Sequence, residues 1–143
     1  MIVLDSCALV EMARQTEDGL ALKELMFRNE KAISCDLVRA ELASVFRKLT
    51  RTQGLSTECA ADYFRQSLQI IDDFYPIEDL QSEAFRESIR LNHSAYDMFY
   101  FVLARRTGGT LYTTDRKLMR LCLNNGVNCV TLINWDEEGL GLS

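Results

Sequence analysis

The sequence predicts an α/β fold in which a parallel sheet of about five strands carries helices on both faces. Short apolar runs alternate along the chain with longer segments whose apolar residues recur at steps of three and four. This alternation is typical of βαβ units, in which the strands lie parallel and the helices cover both sides of the sheet. The 143 residues suit one compact domain over residues 1–143.

Composition restricts the classes to which the protein can belong. Hydrophobic residues make up 48% of the chain and charged residues 26%, as in globular proteins rather than disordered ones. No apolar run is long enough to span a bilayer, and residues 1–5 lack the basic start of a signal peptide. The five cysteines include no CxxC pair, which indicates a reducing compartment. We therefore expect a cytoplasmic protein without a membrane partner.

Five apolar runs are predicted to be strands. They are Ile2–Leu4, Ala32–Cys35, Phe74–Ile77, Thr110–Thr113 and Asn128–Leu132. The third run contains Pro76, the only proline of the chain. Because proline has no N–H for the ladder, this strand is predicted at an edge of the sheet.

Five further segments have helical spacing. They are Leu37–Arg51, Thr57–Ile71, Leu80–Leu91, Tyr96–Ala104 and Asp115–Leu123. The fourth is apolar nearly all round, so we expect it to be a central buried helix. Gly108 and Gly109 are predicted to end this helix, and Asn125 and Gly126 the last one.

Four carboxylates occupy positions at which this fold would gather them. Asp5 and Asp115 follow the first and fourth strands, and ligands of parallel sheets bind at the carboxyl ends of strands. Glu41 lies three residues after Val38, on the apolar face of its helix. Asp97 opens the most hydrophobic helix of the chain. The sequence therefore predicts one acidic site at this edge of the sheet.

Each acid also has a purely structural interpretation. Asp5 and Asp115 could be helix N-caps, and Asp97 has near capping-box spacing from Ser94. Glu41 could pair with the arginine two residues earlier. These four interpretations are independent of one another, whereas convergence at one edge accounts for all four acids together.

Carboxylates gathered at one point repel each other, so they must take up protons or bind cations. Oxygen ligands favour Mg²⁺ or Mn²⁺ over zinc, and such an ion can activate water and stabilise charge on a leaving oxygen. This chemistry hydrolyses a phosphodiester without a nucleophilic side chain. The net charge of −5 argues against a broad basic surface for nucleic acid. It is compatible with an enzyme that meets phosphate through bound metal.

Four segments of the chain resemble the motifs of a known family. They are Ile2–Val10 with Asp5, Val38–Leu42 with Glu41, Ser94–Ala104 with Asp97, and Leu111–Leu118 with Asp115. In order and spacing they are similar to the PIN-domain nucleases, and within them to the VapC-like toxins of toxin–antitoxin pairs. The resemblance covers nearly the whole chain. It departs from the family at Cys7, where many relatives have Asn or Ser.

The resemblance implies a three-layer α/β/α sandwich and an endoribonuclease dependent on Mg²⁺ or Mn²⁺. It also implies a homodimer and inhibition by a cognate antitoxin protein, with RNA as the substrate. Two alternatives stay open. One is a housekeeping PIN nuclease without an antitoxin, and the other is a PIN-like binding module that has lost catalysis.

Several other polar residues are candidates for supporting roles. Ser6 and Thr113 could bond to the acids or to a metal-bound water. Arg116 is a candidate contact for phosphate or for the antitoxin, because it begins a helix beside the site. His93 is expected at the surface, at the end of a helix and without an obvious partner.

Two other families with this sheet pattern are excluded by their motifs. Haloacid-dehalogenase-like phosphatases need an Asp-x-Asp pair after the first strand, and here Ser6 and Cys7 follow Asp5. Receiver domains need neighbouring acids at the first strand and a lysine after the last strand. Neither feature is present near Asp5 or Leu132.

Overall fold

A five-stranded parallel sheet lies at the centre of the fold. The computed structural model describes residues 1–26 and 29–130. Its strands are β1 (Ile2–Leu4), β2 (Ala32–Cys35), β3 (Asp73–Tyr75), β4 (Thr110–Tyr112) and β5 (Cys129–Val130). They are ordered β3-β2-β1-β4-β5, and every neighbouring pair is parallel. The predicted parallel sheet is confirmed, and so is the edge position of the strand before Pro76.

Seven helices flank the sheet within the described ranges, which gives an α/β/α fold. They are α1 (Ser6–Arg14), α2 (Glu17–Leu25), α3 (Leu37–Thr52), α4 (Thr57–Gln69), α5 (Ile77–Arg90), α6 (Ala95–Thr107) and α7 (Arg116–Asn124). All five helices given bounds from the sequence are present. None of the seven is long and apolar enough to cross a membrane.

Most element boundaries differ from the predicted ones by one to three residues, and the difference at Pro76 has a clear physical reason. The third strand ends at Tyr75 rather than Ile77, and α5 begins at Ile77 rather than Leu80. Pro76 is the reason, because it ends the ladder and is the extended N-cap residue of α5, with ψ at 136°. The predicted fifth strand also continued to Leu132, and residues 131 and 132 lie outside the described residues.

The centre of the sheet is fully buried. All three residues of β1 are buried, and Val3 is paired with Ile33 of β2 on one side and Leu111 of β4 on the other. Continuous apolar runs are typical of parallel strands covered on both faces. Helix α6 contacts β1, β2 and β4, and its residues 100–104 are buried. The predicted central helix is confirmed, and Gly108 caps it at a φ of 66°.

The register of β1 and β4 positions the edge where the acids lie. Leu4 is paired with Tyr112, so both strands end at the same level. Asp5 continues from β1, and its N–H reaches the carbonyl of Tyr112 at 3.5 Å. Residues 113–115 continue from β4 beside it. The sheet itself therefore brings Asp5 and Asp115, the first and last of the four candidate acids, to one edge.

Candidate active site

Asp5 is a buried carboxylate that uses its two oxygens for different contacts. Its Oδ1 accepts a hydrogen bond from the N–H of Ala8 at 2.8 Å and so caps α1. Its Oδ2 accepts from the hydroxyl of Thr113. The residue is 3% exposed. The structural interpretation as an N-cap is therefore correct, but it accounts for one oxygen only.

Asp115 has the same relation to α7. Its Oδ1 accepts from the N–H groups of Lys117 at 2.9 Å and Leu118 at 3.3 Å. The N–H of Asp115 donates to Oγ1 of Thr113 at 3.1 Å. Thr113, which is fully buried, therefore links the carboxylate of Asp5 to the backbone of Asp115.

Glu41 is held by a helix distant in the sequence. It lies one turn into α3 and accepts a hydrogen bond from the hydroxyl of Tyr100, a buried residue of α6. The nearby Arg39 lies 3.4 Å from Asp36 and stacks 3.7 Å above the ring of Phe74. The expected structural partner of Glu41 is thus engaged elsewhere.

Asp97 lies in the first turn of α6 and contacts a histidine. Its Oδ2 is 2.9 Å from Nε2 of His93, whereas Ser94 makes no side-chain capping bond. The expectation that His93 has no partner is wrong, and its side chain is only 15% exposed. Asn92 adopts a φ of 50°, and this turn between α5 and α6 sets His93 one helical turn before Asp97.

Burial and mutual repulsion raise the pKa values of three of these acids. The pKa of Asp5 is raised to about 7, mainly by desolvation and also by the charges of Asp97 and Glu41, against the opposing hydrogen bonds from Thr113 and Ala8. Desolvation also raises the pKa of Glu41, and the charge of Asp97 raises it further. Likewise, desolvation and the charge of Asp115 raise the pKa of Asp97. The four acids therefore act on one another electrostatically.

Comparison with known proteins identifies the family to which this domain belongs. The PIN domain family matches residues 2–123. The chain belongs to the PIN-domain family. PIN domains are generally nucleases and typically use a divalent metal. Comparison with curated proteins finds no match.

Solved structures share the PIN fold at low sequence identity. PAE2754 from Pyrobaculum aerophilum superposes with a TM-score of 0.65 at 21% identity, covering 82% of this chain and 76% of that chain. VapC20 from Mycobacterium tuberculosis, described as a Sarcin-Ricin loop cleaving toxin, superposes with a TM-score of 0.61 at 16% identity. That match covers 82% of this chain and 92% of VapC20. Both likenesses establish the fold.

The charges of all four acids of this PIN domain affect the thiol of Cys7. It is exposed in the first turn of α1. Desolvation and the charges of Asp5, Asp115, Asp97 and Glu41 raise its pKa to about 12. The thiol therefore stays protonated at neutral pH. It is a weaker hydrogen-bonding group than the Asn or Ser of many relatives.

The donor set of this PIN domain suits a hydrated divalent ion. Within residues 1–26 and 29–130, no three His, Cys, Asp or Glu side chains are arranged to hold an ion directly. Mg²⁺ keeps several of its waters and needs only one or two carboxylates in direct contact. Carboxylates that raise each other's pKa gain from a nearby cation, because it relieves their repulsion. The residues present therefore fit Mg²⁺ or Mn²⁺.

The remaining predicted residues lie around this site in different ways. Ser6 is buried in the first turn of α1. Its hydroxyl makes no hydrogen bond to the four acids in the part of the chain that the structure describes. Arg116 is exposed at the first position of α7, directly after Asp115.

Sequence analysis missed two side chains that contact the acids and one that fixes β1. They are His93, Tyr100 and Ser34. Ser34 is buried, and its hydroxyl donates to the carbonyl of Leu4 at 2.7 Å, just before Asp5. The spacing of His93 from Asp97 is a usable signal, since residues four apart are neighbours on a helix. A tyrosine inside an apolar helix is another signal, because a buried hydroxyl needs a partner.

Proposed function

We propose that this PIN domain is a Mg²⁺- or Mn²⁺-dependent endoribonuclease and the toxin of a type II toxin–antitoxin pair. The observation that carries the proposal is the electrostatic coupling of four carboxylates from four elements at one sheet edge. Membership of the family supports a nuclease. The N-cap roles of Asp5 and Asp115 account for their place at the edge, but they do not account for the coupling to Glu41 and Asp97.

Asp5, Glu41, Asp97 and Asp115 would hold the ion. When bound, a divalent ion supplies activation of the attacking water and stabilisation of negative charge on the phosphate. The protein's own contribution is to keep the carboxylates close together against their repulsion. Burial of Asp5 favours this, because a carboxylate with few waters of its own gains more from a cation.

Neighbouring side chains set the orientation of the acids. Thr113 donates to Asp5 and Tyr100 donates to Glu41. His93 contacts Asp97. Such outer contacts fix the direction of metal ligands and tune their affinity.

The choice of RNA and of a toxin role rests on the similarity of the fold to VapC20, a toxin described as cleaving the Sarcin-Ricin loop. From the resemblance of the motifs to VapC-like toxins we also propose a cognate antitoxin as partner and a homodimer, and from the composition a cytoplasmic location. We also propose that residues 1–143 form one domain.

One observation favours a second candidate, a PIN-like binding module without catalysis. In the described ranges no three potential ligands could hold an ion directly. A catalytic site would therefore need waters to complete the coordination of the ion, whereas a binding module would need no ion.

A nuclease assay with matched variants separates the two candidates. Wild type, Asp97→Asn and Asp62→Asn are incubated with mixed RNA in Mn²⁺ or in EDTA. Asp62 is an exposed acid of α4 that pairs with Arg65, so Asp62→Asn controls for loss of one charge. We expect Asp97→Asn to lose activity by about 100-fold or more and Asp62→Asn to match wild type. If RNA cleavage is the same for all three proteins and does not depend on metal, the nuclease proposal fails and the binding module is favoured.

The toxin role has its own test. Expression of the wild type without a partner is expected to arrest growth, and Asp5→Ala is expected to relieve the arrest. RNA cleavage in vitro without a growth defect would instead favour a housekeeping PIN nuclease that has no antitoxin.

A further inference from the structure

A groove of about 530 Å³ lies between α1 and α3 and reaches Cys7 and Thr114, which are close in sequence to Asp5 and Asp115. Cys7 and Thr114 line it where it meets the candidate site, and Arg14 and Lys48 line it further along. We call it the α1–α3 groove. Its volume falls within the roughly 300–1,000 Å³ of pockets that hold drug-sized ligands, a size class to which a nucleotide belongs.

Each of the two helices carries a cation seven residues after a side chain that belongs to the candidate site or borders it. Arg14 follows Cys7 by seven residues on α1, and Lys48 follows Glu41 by seven residues on α3. Seven residues are about two turns, or roughly 10 Å along a helix. Both cations therefore lie beyond the acids in the direction in which the α1–α3 groove extends.

Neither cation forms an ion pair with an acid among the described residues. Nη2 of Arg14 donates to the amide oxygen of Gln53 at 2.8 Å, which leaves the guanidinium charge uncompensated. Lys48 is exposed, and within residues 1–26 and 29–130 no ion pair includes it. Glu11, an acid that also lines the groove, accepts a hydrogen bond from the hydroxyl of Thr16. Because this neutral donor leaves the charge of Glu11 in place, the described lining of the groove carries two positive charges and one negative charge, on a chain whose net charge is −5.

The walls between the acids and the cations are partly apolar. Val10, Val45 and Leu49 contribute to them. Apolar surface beside cations suits a strand whose riboses and bases lie against the wall while its phosphates meet the charges. A single strand can place its bases against such apolar walls, whereas a duplex keeps its bases stacked inside, so the walls favour a single strand.

We propose that the α1–α3 groove binds single-stranded RNA beside the scissile bond, with Lys48 and Arg14 contacting phosphates next to the one that is cut. This inference rests on the proposed nuclease function and adds a substrate path to it. The acids repel phosphate in the absence of metal, so fixed cations near them are needed to hold the strand in place. Lys48 and Arg14 are binding residues, and they take no part in breaking the bond.

Binding is measured separately from cleavage. Anisotropy of a labelled single-stranded RNA is followed at low salt in EDTA, on an Asp97→Asn background that cannot cut it. We expect Lys48→Ala and Arg14→Gln each to weaken binding about fivefold, the upper end for one exposed ion pair. The slope of log affinity against log salt should fall by about 0.7 for each lost phosphate contact.

The matched control is Arg47→Ala. Arg47 is the neighbour of Lys48 on α3 but lines a different groove, with Phe46 and Phe64. Arg47→Ala removes one positive charge from α3, as Lys48→Ala does, so we expect it to change the RNA affinity by less than twofold. Equal losses in Lys48→Ala and Arg47→Ala would overturn the proposal in favour of general attraction. RNA affinity unchanged in Lys48→Ala and Arg14→Gln would also overturn the proposal, as would the absence of RNA binding by the Asp97→Asn parent. Either result would favour a protein as the ligand of the groove.

Kinetics in the cleaving protein give an independent readout. Lys48→Ala should raise KM about fivefold with kcat within twofold of wild type, because uniform binding is lost. A fall in kcat at constant KM would contradict a binding role. If the wild type binds RNA in the groove but never cuts it, the proposed function fails and the groove proposal stands.

Discussion

His93 and Asp97 contact each other through Nε2 and Oδ2 at 2.9 Å, across one helical turn at the start of α6. Asp97 faces the other acids, since its charge raises the pKa values of Asp5 and Glu41. The imidazole approaches it from the side of the turn between α5 and α6. His93 thereby restricts the orientation of a carboxylate proposed to hold metal, which is the role of a positioning residue.

Replacing His93 should weaken metal binding more than folding. We expect His93→Ala to lower Mn²⁺ affinity by about 10-fold, within the range for residues that orient ligands. His93→Gln retains an N–H donor and should recover part of the loss. Calorimetric titration with Mn²⁺ measures this without reliance on activity. Equal Mn²⁺ affinity in wild type and His93→Ala would show that the contact is only structural.

Tyr100→Phe should affect both stability and the acid site. The substitution removes the donor to Glu41 and leaves a half-buried carboxylate without that partner. We expect a loss of about 1–3 kcal/mol in the free energy of unfolding and a weaker affinity for Mn²⁺. Chemical denaturation in EDTA gives the first quantity. Phe101→Leu, a change at the neighbouring buried position, controls for packing, and it should leave metal affinity unchanged.

The stability of the metal-free protein should fall as pH rises from about 4 to 7. The folded pKa of Asp5 is raised from 3.8 to about 7, so the folded state keeps a proton that the unfolded state has released in this range. The free energy of unfolding therefore decreases as pH rises. Asp5→Asn should remove this loss, because asparagine does not ionise. Asparagine keeps the oxygen that caps α1.

Asp5→Asn is expected to raise the free energy of unfolding by on the order of 4 kcal/mol above pH 7, because each pKa unit corresponds to about 1.4 kcal/mol. Near pH 3 the increase should be close to zero. Thermal melts in EDTA across this range measure it, with Asp62→Asn as the control that tracks wild type. Asp5→Asn less stable than wild type at pH 7.5 would contradict the raised pKa. Added Mn²⁺ should stabilise wild type at that pH, because the ion binds the folded state.

Gly19 of α2 lies directly against the backbone of α1 at Glu11 and Met12. A Cβ at this position would lie 2.0 Å from the carbonyl oxygen of Glu11. Backbone cannot move aside as a flexible side chain can, so Gly19→Ala should cost about 3 kcal/mol, the upper range for overpacking. Gly54→Ala is the comparison, because its Cβ would meet nothing within 4 Å, although its φ is 67°. Chemical denaturation of both variants should rank Gly19→Ala as the more damaging.

The sequence predicted the elements better than it predicted the contacts. Apolar spacing is a local property, so the strand at Ile2–Leu4 and the helix from Leu37 were predictable from it. The boundary at Pro76 was wrong, because the same residue can end a strand or cap a helix. The acids could be placed at one edge since the ends of parallel strands meet there.

Contacts between distant residues were not predictable in this way. Tyr100 and Glu41 are separated by 59 positions, and no local pattern pairs them. The turn at Asn92, which returns His93 to the site, depends on a positive φ that few residues other than glycine adopt. Thr113 was found because it lies two residues from Asp115, where strand and helix join.

The central claim is that the four acids form one metal-dependent site, and a double-mutant cycle tests it most directly. Single-turnover RNA cleavage in Mn²⁺ is measured for wild type, Asp97→Asn, Glu41→Gln and the double variant. Residues that act as a unit give strongly non-additive losses. We predict that the double variant loses no more than about the larger single loss. Single losses that multiply in the double variant, or cleavage unaffected by either change, would contradict a shared site.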